Sequence, residues 1–208
     1  MEEKKYKMFI TFEGIDGCGK STIISKIVEL LERTGYKVVA TREPGGTKIS
    51  EKIREIIIKS KNMDSITEGL LYASARRQHI VEKIIPSLKE KKIVISDRYI
   101  DSSLAYQGIG RKIGMKQILA INSINNKILW PDITFFLDVD PKVALERIKK
   151  RDKDNDRFDE ESIVFYSEVR KAFLQIAKKY KNRIIVIDAN RDKQVIIKEI
   201  FEKIKTFL

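Results

Sequence analysis

Residues 14–22 read G-I-D-G-C-G-K-S-T and follow the pattern G-x-x-x-x-G-K-[ST], in which a glycine-rich turn cradles phosphate groups. The glycines let the backbone turn tightly and aim its N–H groups at an anion. The lysine and the serine suit the outer phosphates of a nucleotide and a magnesium ion that bridges them. The nine residues predicted to bind the nucleotide are Gly14, Ile15, Asp16, Gly17, Cys18, Gly19, Lys20, Ser21 and Thr22.

The flanking sequence predicts a strand before this loop and a helix after it. Residues 8–12 form an apolar run that is typical of a buried strand. Apolar residues then recur at helical spacing, at Ile23, Ile27, Leu30 and Leu31. The loop therefore lies at a helix N-terminus, where the helix dipole also favours a phosphate. Cys18 is interpreted as a small residue at a position without room for bulk, and not as a redox centre.

The composition of the 208 residues suits one domain, residues 1–208, with a small lid. The chain is 42% hydrophobic, and no stretch approaches the ~18 apolar residues of a membrane span. The N-terminus lacks an apolar signal region and the chain has one cysteine, so we expect a cytoplasmic location. The net charge of +12 comes from scattered lysines without interleaved aromatic residues, which favours a small anionic substrate over nucleic acid.

Five strand-like runs alternate with helical patterns along the chain. They are short, β-branched and mostly apolar on both faces, and they cover residues 8–12, 37–41, 93–96, 133–139 and 183–188. The alternation predicts an α/β fold with a doubly wound, five-stranded parallel sheet and helices on both faces. Ligands of such sheets bind beyond the carboxyl ends of the strands, so motifs at those ends should converge on one cleft.

Charged residues follow two of these strands. Asp97 ends an apolar run, where its carboxylate is well placed to hold hydrated magnesium through water, with Ser21 as a direct ligand. Arg98 then points into the same cleft, and Arg42 ends the second strand. Arginine forks fit phosphate oxygens in pairs. On spacing alone, Arg54 on the next helix is better interpreted as a solvated residue.

Tyr72 and Arg76 lie four residues apart in a helical stretch and share a face, where a ring and a guanidinium suit a nucleobase. Taken alone, such a pair is common on helices and predicts no site. The only histidine, His79, makes neither a metal site nor a triad, and it is assigned no chemistry.

Residues 147–159 form a charged stretch between two predicted helices. As a surface loop it would be ordinary, but beside a phosphate cleft it is interpreted as a lid. A lid arginine can close on the transferring phosphoryl group, a role worth roughly 10³–10⁵ in rate in related transferases.

Together these features resemble the thymidylate kinase family over nearly the whole chain. The resemblance rests on the phosphate loop with F-E before it, followed in order by TREPGGT at 41–47, ARR at 75–77, DRYIDSSLAYQG at 97–108, PD at 131–132, LDV at 137–139 and DR at 156–157. The phosphate loop alone is generic. The segments at 41–47 and 97–108, in this order after the loop, are highly specific.

The resemblance implies a P-loop NTPase-type fold and transfer of the γ-phosphoryl group of ATP to dTMP, giving dTDP, a step in dTTP synthesis. ATP, Mg²⁺ and dTMP are the implied ligands, and family members are commonly homodimers formed by helix packing. The dTMP phosphate is mostly a dianion at pH 7 and attacks without a strong base. Catalysis is then alignment together with charge neutralisation by Lys20, magnesium and arginines.

The resemblance also implies roles for individual residues. Asp16 would bond the 3′-hydroxyl or organise the metal, and Tyr106 would reject ribonucleotides by crowding the 2′ position. The residues implied for the monophosphate end are Arg42, Arg54 and Arg98. The residues implied for the base are Tyr72, which stacks, Arg76, which bonds the base edge, and Ser103 and Gln107.

Family members carry a catalytic arginine either in the phosphate loop or in the lid. The loop has Gly17 and no arginine, so the sequence resembles the bacterial, lid-arginine type. The lid candidates are Arg151 and Arg157, with Arg147 and Lys153 behind them. The predicted catalytic residues are Lys20, Asp97, Arg98, Arg151 and Arg157, with Ser21 and Asp97 at the metal. Tyr72 stands where phenylalanine is frequent, which keeps a stacking plane.

Three other functions share parts of this pattern. A deoxynucleoside kinase needs a base to deprotonate a 5′-hydroxyl, and three arginines gathered for a substrate phosphate argue against it. A GTPase-like switch needs an N-K-x-D segment, whereas residues 126–129 read N-K-I-L. If the chain were a DNA-associated ATPase, DNA would stimulate its ATP hydrolysis, which we do not expect.

Overall fold

The computed structural model describes residues 8–60, 62–123, 128–150 and 162–208. Its five strands are β1 Met8–Glu13, β2 Val38–Arg42, β3 Ile93–Asp97, β4 Ile133–Asp138 and β5 Ile184–Asp188. Both ends of every strand lie within one residue of the predicted range, which confirms the strands predicted from apolar, β-branched runs.

Helices alternate with these strands. They are α1 Lys20–Arg33, α2 Lys48–Lys59, α3 Ser65–His79, α4 Ile85–Lys89, α5 Ile100–Ser103, α6 Met115–Asn122, α7 Pro141–Lys149, α8 Ile163–Lys179 and α9 Lys193–Lys205. Two π-helical segments, Ile80–Ile84 and Leu104–Gly110, follow α3 and α5 without a break. Side-chain oxygens accept hydrogen bonds from first-turn N–H groups of five helices, at Thr47, Asp64, Asp140, Ser162 and Asp192.

The sheet has the strand order β2-β3-β1-β4-β5, and every neighbouring pair is parallel. Along this sheet the β1–β2 connection runs toward the β2 edge, whereas the β2–β3, β3–β4 and β4–β5 connections run toward the β5 edge. Because crossovers are right-handed, the two directions place their helices on opposite faces of the sheet. Accordingly α1 packs against α9, and α8 packs against β4 and β5. This is the doubly wound α/β sheet that the sequence predicts.

The central strands β1, β3 and β4 are buried along nearly their whole length, whereas the edge strands β2 and β5 are partly exposed. Register aligns the carboxyl ends of three neighbouring strands, because Phe12 of β1 and Arg42 of β2 both lie level with Asp97 of β3. Among the described residues, no helix is long and apolar enough to cross a bilayer.

Candidate functional site

The phosphate loop turns from β1 into α1 through glycines with positive φ angles. A Cβ atom added at Gly17 would lie 2.3 Å from the carbonyl oxygen of Ala144, so only glycine fits this close approach to α7. The Lys20 ammonium is buried and donates to the carbonyl oxygens of Gly14 and Ile15, each at 3.1 Å. The loop and its lysine are therefore fixed against each other before a phosphate arrives.

Ser21 and Asp97, the residues predicted to hold magnesium, meet at the start of α1. The Ser21 hydroxyl donates to Asp97 Oδ2 at 3.1 Å. Asp97 Oδ1 is buried and has no hydrogen-bond partner among the described residues. An orphaned carboxylate oxygen beside a hydroxyl suits a hydrated Mg²⁺, which prefers oxygen ligands and keeps several waters. In the described part of the chain no three His, Cys, Asp or Glu side chains form a metal cluster.

Arg98 is the hub of the site. Its φ angle of 68° is in the left-handed region, a strained conformation for arginine that surrounding contacts must enforce. Its guanidinium donates to Asp16 Oδ1 at 2.7 Å, to the Ser102 hydroxyl at 3.0 Å and to the Tyr106 hydroxyl at 3.2 Å. The same group stacks 4.9 Å from the Tyr106 ring centre. Asp16, Arg98 and Tyr106, three predicted substrate residues, therefore lie together.

Charges at this hub are strongly coupled. Burial alone would raise the pKa of Asp16, but Arg98 and Lys20 outweigh it and lower that pKa to about 2. Burial also opposes the charge on Arg98, yet the Asp16 carboxylate holds the pKa of Arg98 well above its ordinary value. Burial raises the pKa of Tyr106 well above its ordinary value, so the phenol stays neutral. At neutral pH the hub is thus an ion pair beside a hydroxyl.

Glu13, a buried acid to which the sequence analysis assigned no role, accepts hydrogen bonds from two residues that follow Arg98 in the chain. Glu13 accepts a hydrogen bond from the Tyr99 N–H at 2.8 Å and a short one from the Ser102 hydroxyl. The pKa of Glu13 is raised to about 8, mainly because the residue is buried and also because the Asp101 carboxylate lies nearby. The hydrogen bond from Ser102 acts in the opposite direction and lowers this pKa. Arg183 pairs with both oxygens of Asp101 at 2.7 Å. The signals available for Glu13 were its position at the end of an apolar strand and its place in the F-E before the phosphate loop.

A cleft of about 500 Å³, mouth included, opens beside the hub. Six of the nine predicted substrate residues line it, namely Asp16, Arg54, Tyr72, Arg98, Tyr106 and Gln107. The remaining walls come from Glu43, Pro44, Ile58 and Ser102. Arg54 donates to the Pro44 carbonyl oxygen at 3.0 Å, so it is held at the cleft and is not a freely solvated helix residue.

The other three predicted substrate residues do not line the cleft. Arg42 pairs with Glu51 at 2.9 Å and borders a neighbouring groove that Ser21 and Asp97 share. Arg76 is only 3% exposed, and its guanidinium donates to Glu43, Asn122, Tyr99 and Ser103 at 2.7–3.2 Å. Ser103 is buried beneath it. Arg76 and Ser103 thus form a polar layer behind the cleft.

Glu43 links this layer to His79, which sequence reasoning left without chemistry. The buried Glu43 carboxylate lies 3.0 Å from His79 Nδ1, and the Thr41 hydroxyl lies 2.7 Å from His79 Nε2. His79 is fully buried and lines neither the cleft nor the groove. It therefore ties the turn after β2 to α3.

Of the predicted lid, residues 147–159, the first four lie within the described residues. Arg147 donates to the Gly17 carbonyl oxygen at 3.5 Å, which places this arginine beside the phosphate loop. Arg151, Lys153 and Arg157 lie outside the described residues. At the end of β4, Asp138 forms a two-point ion pair with Arg170, at 2.6 and 3.0 Å.

Comparisons with known proteins show which family the chain resembles. A family model described as thymidylate kinase matches residues 12–200. A thymidylate kinase of a Geobacillus species is 50% identical over 186 residues, covering 88% of this chain and 89% of the relative. A thymidylate kinase from Staphylococcus haemolyticus is 43% identical, covering 96% of this chain and 98% of the relative. The crystal structure of thymidylate kinase from Ehrlichia chaffeensis matches with a TM-score of 0.76 and 39% identity, covering 96% of this chain and 99% of that one.

Proposed function

The chain belongs to the thymidylate kinase family and phosphorylates dTMP to dTDP, and we propose that it uses Mg-ATP and binds dTMP in the cleft beside Arg98. The observation that carries this proposal is the meeting of three parts at one edge of the sheet. These parts are the phosphate loop, the Ser21–Asp97 pair and the arginine-bordered cleft. ATP on the loop and dTMP in the cleft then face each other across the hub.

We propose that the cleft binds dTMP with its phosphate toward the arginines and its base toward Tyr72. Arg54 and Arg98 hold the phosphate, Asp16 accepts from the 3′-hydroxyl, and Tyr106 crowds the 2′ position. Arg42 also binds the phosphate, after its ion pair with Glu51 breaks. This ion pair is exposed, so breaking it costs only ~0–1 kcal/mol. Stacking on Tyr72 and a polar contact to Gln107 recognise the base.

Arg76 and Ser103 keep a proposed role at the base end of the cleft. Arg76 already donates to four groups, so it acts there mainly as the polar layer that backs the base edge. Ser103 fixes that layer through its hydroxyl.

In the proposed reaction a phosphate oxygen of dTMP attacks the γ-phosphorus of ATP, and the bond to the β-phosphate oxygen breaks to release ADP. The dTMP phosphate has a second pKa of about 6, so no general base is required. Lys20 and the backbone N–H groups of residues 14–22 hold the ATP phosphates. Ser21 and Asp97 would hold magnesium, which would supply charge neutralisation at the phosphates.

The catalytic arginine is proposed to come from the lid, residues 147–159, as Arg151 or Arg157. Gly17 supports this assignment, because the contact with Ala144 leaves no room for a side chain at that loop position. The contact of Arg147 with the Gly17 carbonyl oxygen supports a lid that begins beside the phosphate loop.

We also propose one domain over residues 1–208 that pairs into a homodimer through α2 and α3. Four large apolar side chains on these helices are 47–57% exposed and would be covered by the partner in such a dimer, at Ile49, Ile56, Ile66 and Leu70. A cytoplasmic location suits an enzyme that draws on ATP and nucleotide pools. The proposed partners are small molecules, without nucleic acid.

ADP release from Mg-ATP tests the proposal with dTMP, dUMP, dCMP and thymidine as acceptors. Strong turnover with dTMP, weaker turnover with dUMP and none with thymidine is expected, and EDTA should abolish it. A hydrophobic pocket discriminates between two substrates that differ by one methyl group by only about 10–200-fold, so some activity with dUMP is expected. Turnover with thymidine but not dTMP would remove the phosphate roles of Arg54 and Arg98.

A further inference from the structure

Gln107 has a buried partner that no sequence pattern indicated. Its amide nitrogen donates to Glu68 Oε1 at 2.7 Å, across 39 residues of sequence. Both residues are 1% exposed, yet Gln107 lines the cleft. Glu68 itself lies in the first turn of α3, behind Gln107 and outside the cleft wall.

The chemistry of Glu68 determines which way the Gln107 amide faces. A carboxylate can only accept hydrogen bonds, so the amide group next to it must be the NH₂ and not the oxygen. Arg111 Nε lies 3.6 Å from Glu68 Oε2, so the second oxygen of this acid also faces a donor. The end of the amide turned away from Glu68 is therefore the carbonyl oxygen, an acceptor.

An acceptor at this position distinguishes pyrimidines at N3. Thymine and uracil carry an N3–H donor, whereas N3 of cytosine is an acceptor and would face the Gln107 oxygen with no hydrogen between them. We infer that Glu68 is a specificity-determining positioning residue: it locks the Gln107 amide so that the cleft selects thymine and uracil over cytosine. This inference rests on the proposed placement of the base beside Tyr72 and Gln107.

The Glu68→Gln substitution tests the lock with almost no change in volume. A glutamine at 68 can pair with Gln107 in either orientation, so Gln107 becomes free to turn its NH₂ toward cytosine. Leaving a buried polar group unpaired is costly, so the ratio of kcat/KM for dTMP over dCMP should fall on the order of 10-fold or more. The dTMP over dUMP ratio should not change, because both bases have N3–H.

A matched control is available nearby in sequence. Gln78 and Glu82 form the same amide–carboxylate pair at 2.6 Å, but on an exposed surface. Glu82→Gln removes the same charge and should leave both ratios as they are. A purely structural role of Glu68 would lower turnover with dTMP, dUMP and dCMP together, without moving the dTMP over dCMP ratio.

The exchanged pair, Glu68→Gln with Gln107→Glu, provides a rescue. The carboxylate at 107 offers only acceptors to the cleft, so preference for dTMP over dCMP should return relative to Glu68→Gln alone. An unchanged ratio in Glu68→Gln, or no recovery in the exchanged pair, would overturn the inference. Wild-type protein that fails to turn over dTMP would instead contradict the proposed function, so the two failures are distinguishable.

Discussion

Substitution of Gly17 by alanine tests how closely the phosphate loop depends on its contact with α7. The added Cβ would lie 2.3 Å from the Ala144 carbonyl oxygen and 2.9 Å from the Ala144 carbonyl carbon, both backbone atoms that cannot turn aside. Ordinary contact begins near 3.4 Å, so the loop or the start of α7 must move by about 1 Å. Displacement of a catalytic group by about 1 Å can cost on the order of 10²-fold in rate.

The same substitution also places alanine at a φ of 78°, and this strain must be separated from the clash. Gly35 is a matched control, because its φ is 90° and no atom lies within 4 Å of an added Cβ. Gly35→Ala should lower the free energy of unfolding by about 1–2 kcal/mol, the cost of the left-handed conformation, without changing turnover. Gly17→Ala should carry that cost together with the loss of activity.

The assay is steady-state ADP release with dTMP, combined with urea unfolding of both variants. We expect kcat/KM to fall about 100-fold in Gly17→Ala, equivalent to ~2.7 kcal/mol of transition-state stabilisation, and to stay within about twofold in Gly35→Ala. Gly17→Ala that keeps more than about a third of wild-type activity would refute the argument that loop and α7 are rigidly packed. Equal losses in both variants would assign the effect to backbone strain.

Three further predictions follow from the site. Arg151→Ala or Arg157→Ala should lower kcat by roughly 10³-fold if that arginine is the lid catalyst, and losses under about tenfold in both would contradict the lid assignment. The Glu13 pKa is raised in the folded protein from 4.5 to about 8, so the folded state binds the extra proton and wild-type stability should fall as pH rises from 4.5 to 8. Denaturation of Glu13→Gln across this range should lack that decline, and parallel curves would contradict the raised pKa. Ser21→Ala and Asp97→Asn should each raise the Mg²⁺ concentration for half-maximal activity, and titrations that superimpose on wild type would remove these residues from the metal site.

Local sequence patterns were sufficient for the sheet but not for the network beneath the site. The strands are apolar runs, and burial on both faces leaves that signature in any five-residue window. Glu13, by contrast, accepts hydrogen bonds from Tyr99 and Ser102, which are 86 and 89 residues away in the sequence. No periodicity connects residues so far apart, because their contact depends on β1 and β3 lying side by side.

Arg76 illustrates a different limit. Its spacing from Tyr72 correctly predicts that both residues lie on one helix, α3, but spacing does not show whether a side chain is buried. The acid that pairs with the buried Arg76 guanidinium is Glu43, in the turn after β2, and the sequence analysis used its segment, residues 41–47, only as a mark of the family resemblance. The partners of a buried arginine are set by tertiary packing, so a helical face alone cannot distinguish a ligand contact from a structural one.

Arg98 shows why the buried acids matter for catalysis. Its strained backbone is held on both sides, since the Arg98 N–H donates to the Phe12 carbonyl oxygen at 2.9 Å and the Ser96 hydroxyl donates to the Arg98 carbonyl oxygen at 2.8 Å. Glu13 secures the next residue, Tyr99. In the proposed mechanism the guanidinium is therefore ordered before dTMP arrives, and binding does not have to offset the entropy of ordering a long side chain. The arriving phosphate then shares Arg98 with Asp16, so the ion pair that orders this guanidinium also sets the orientation in which the phosphate is received.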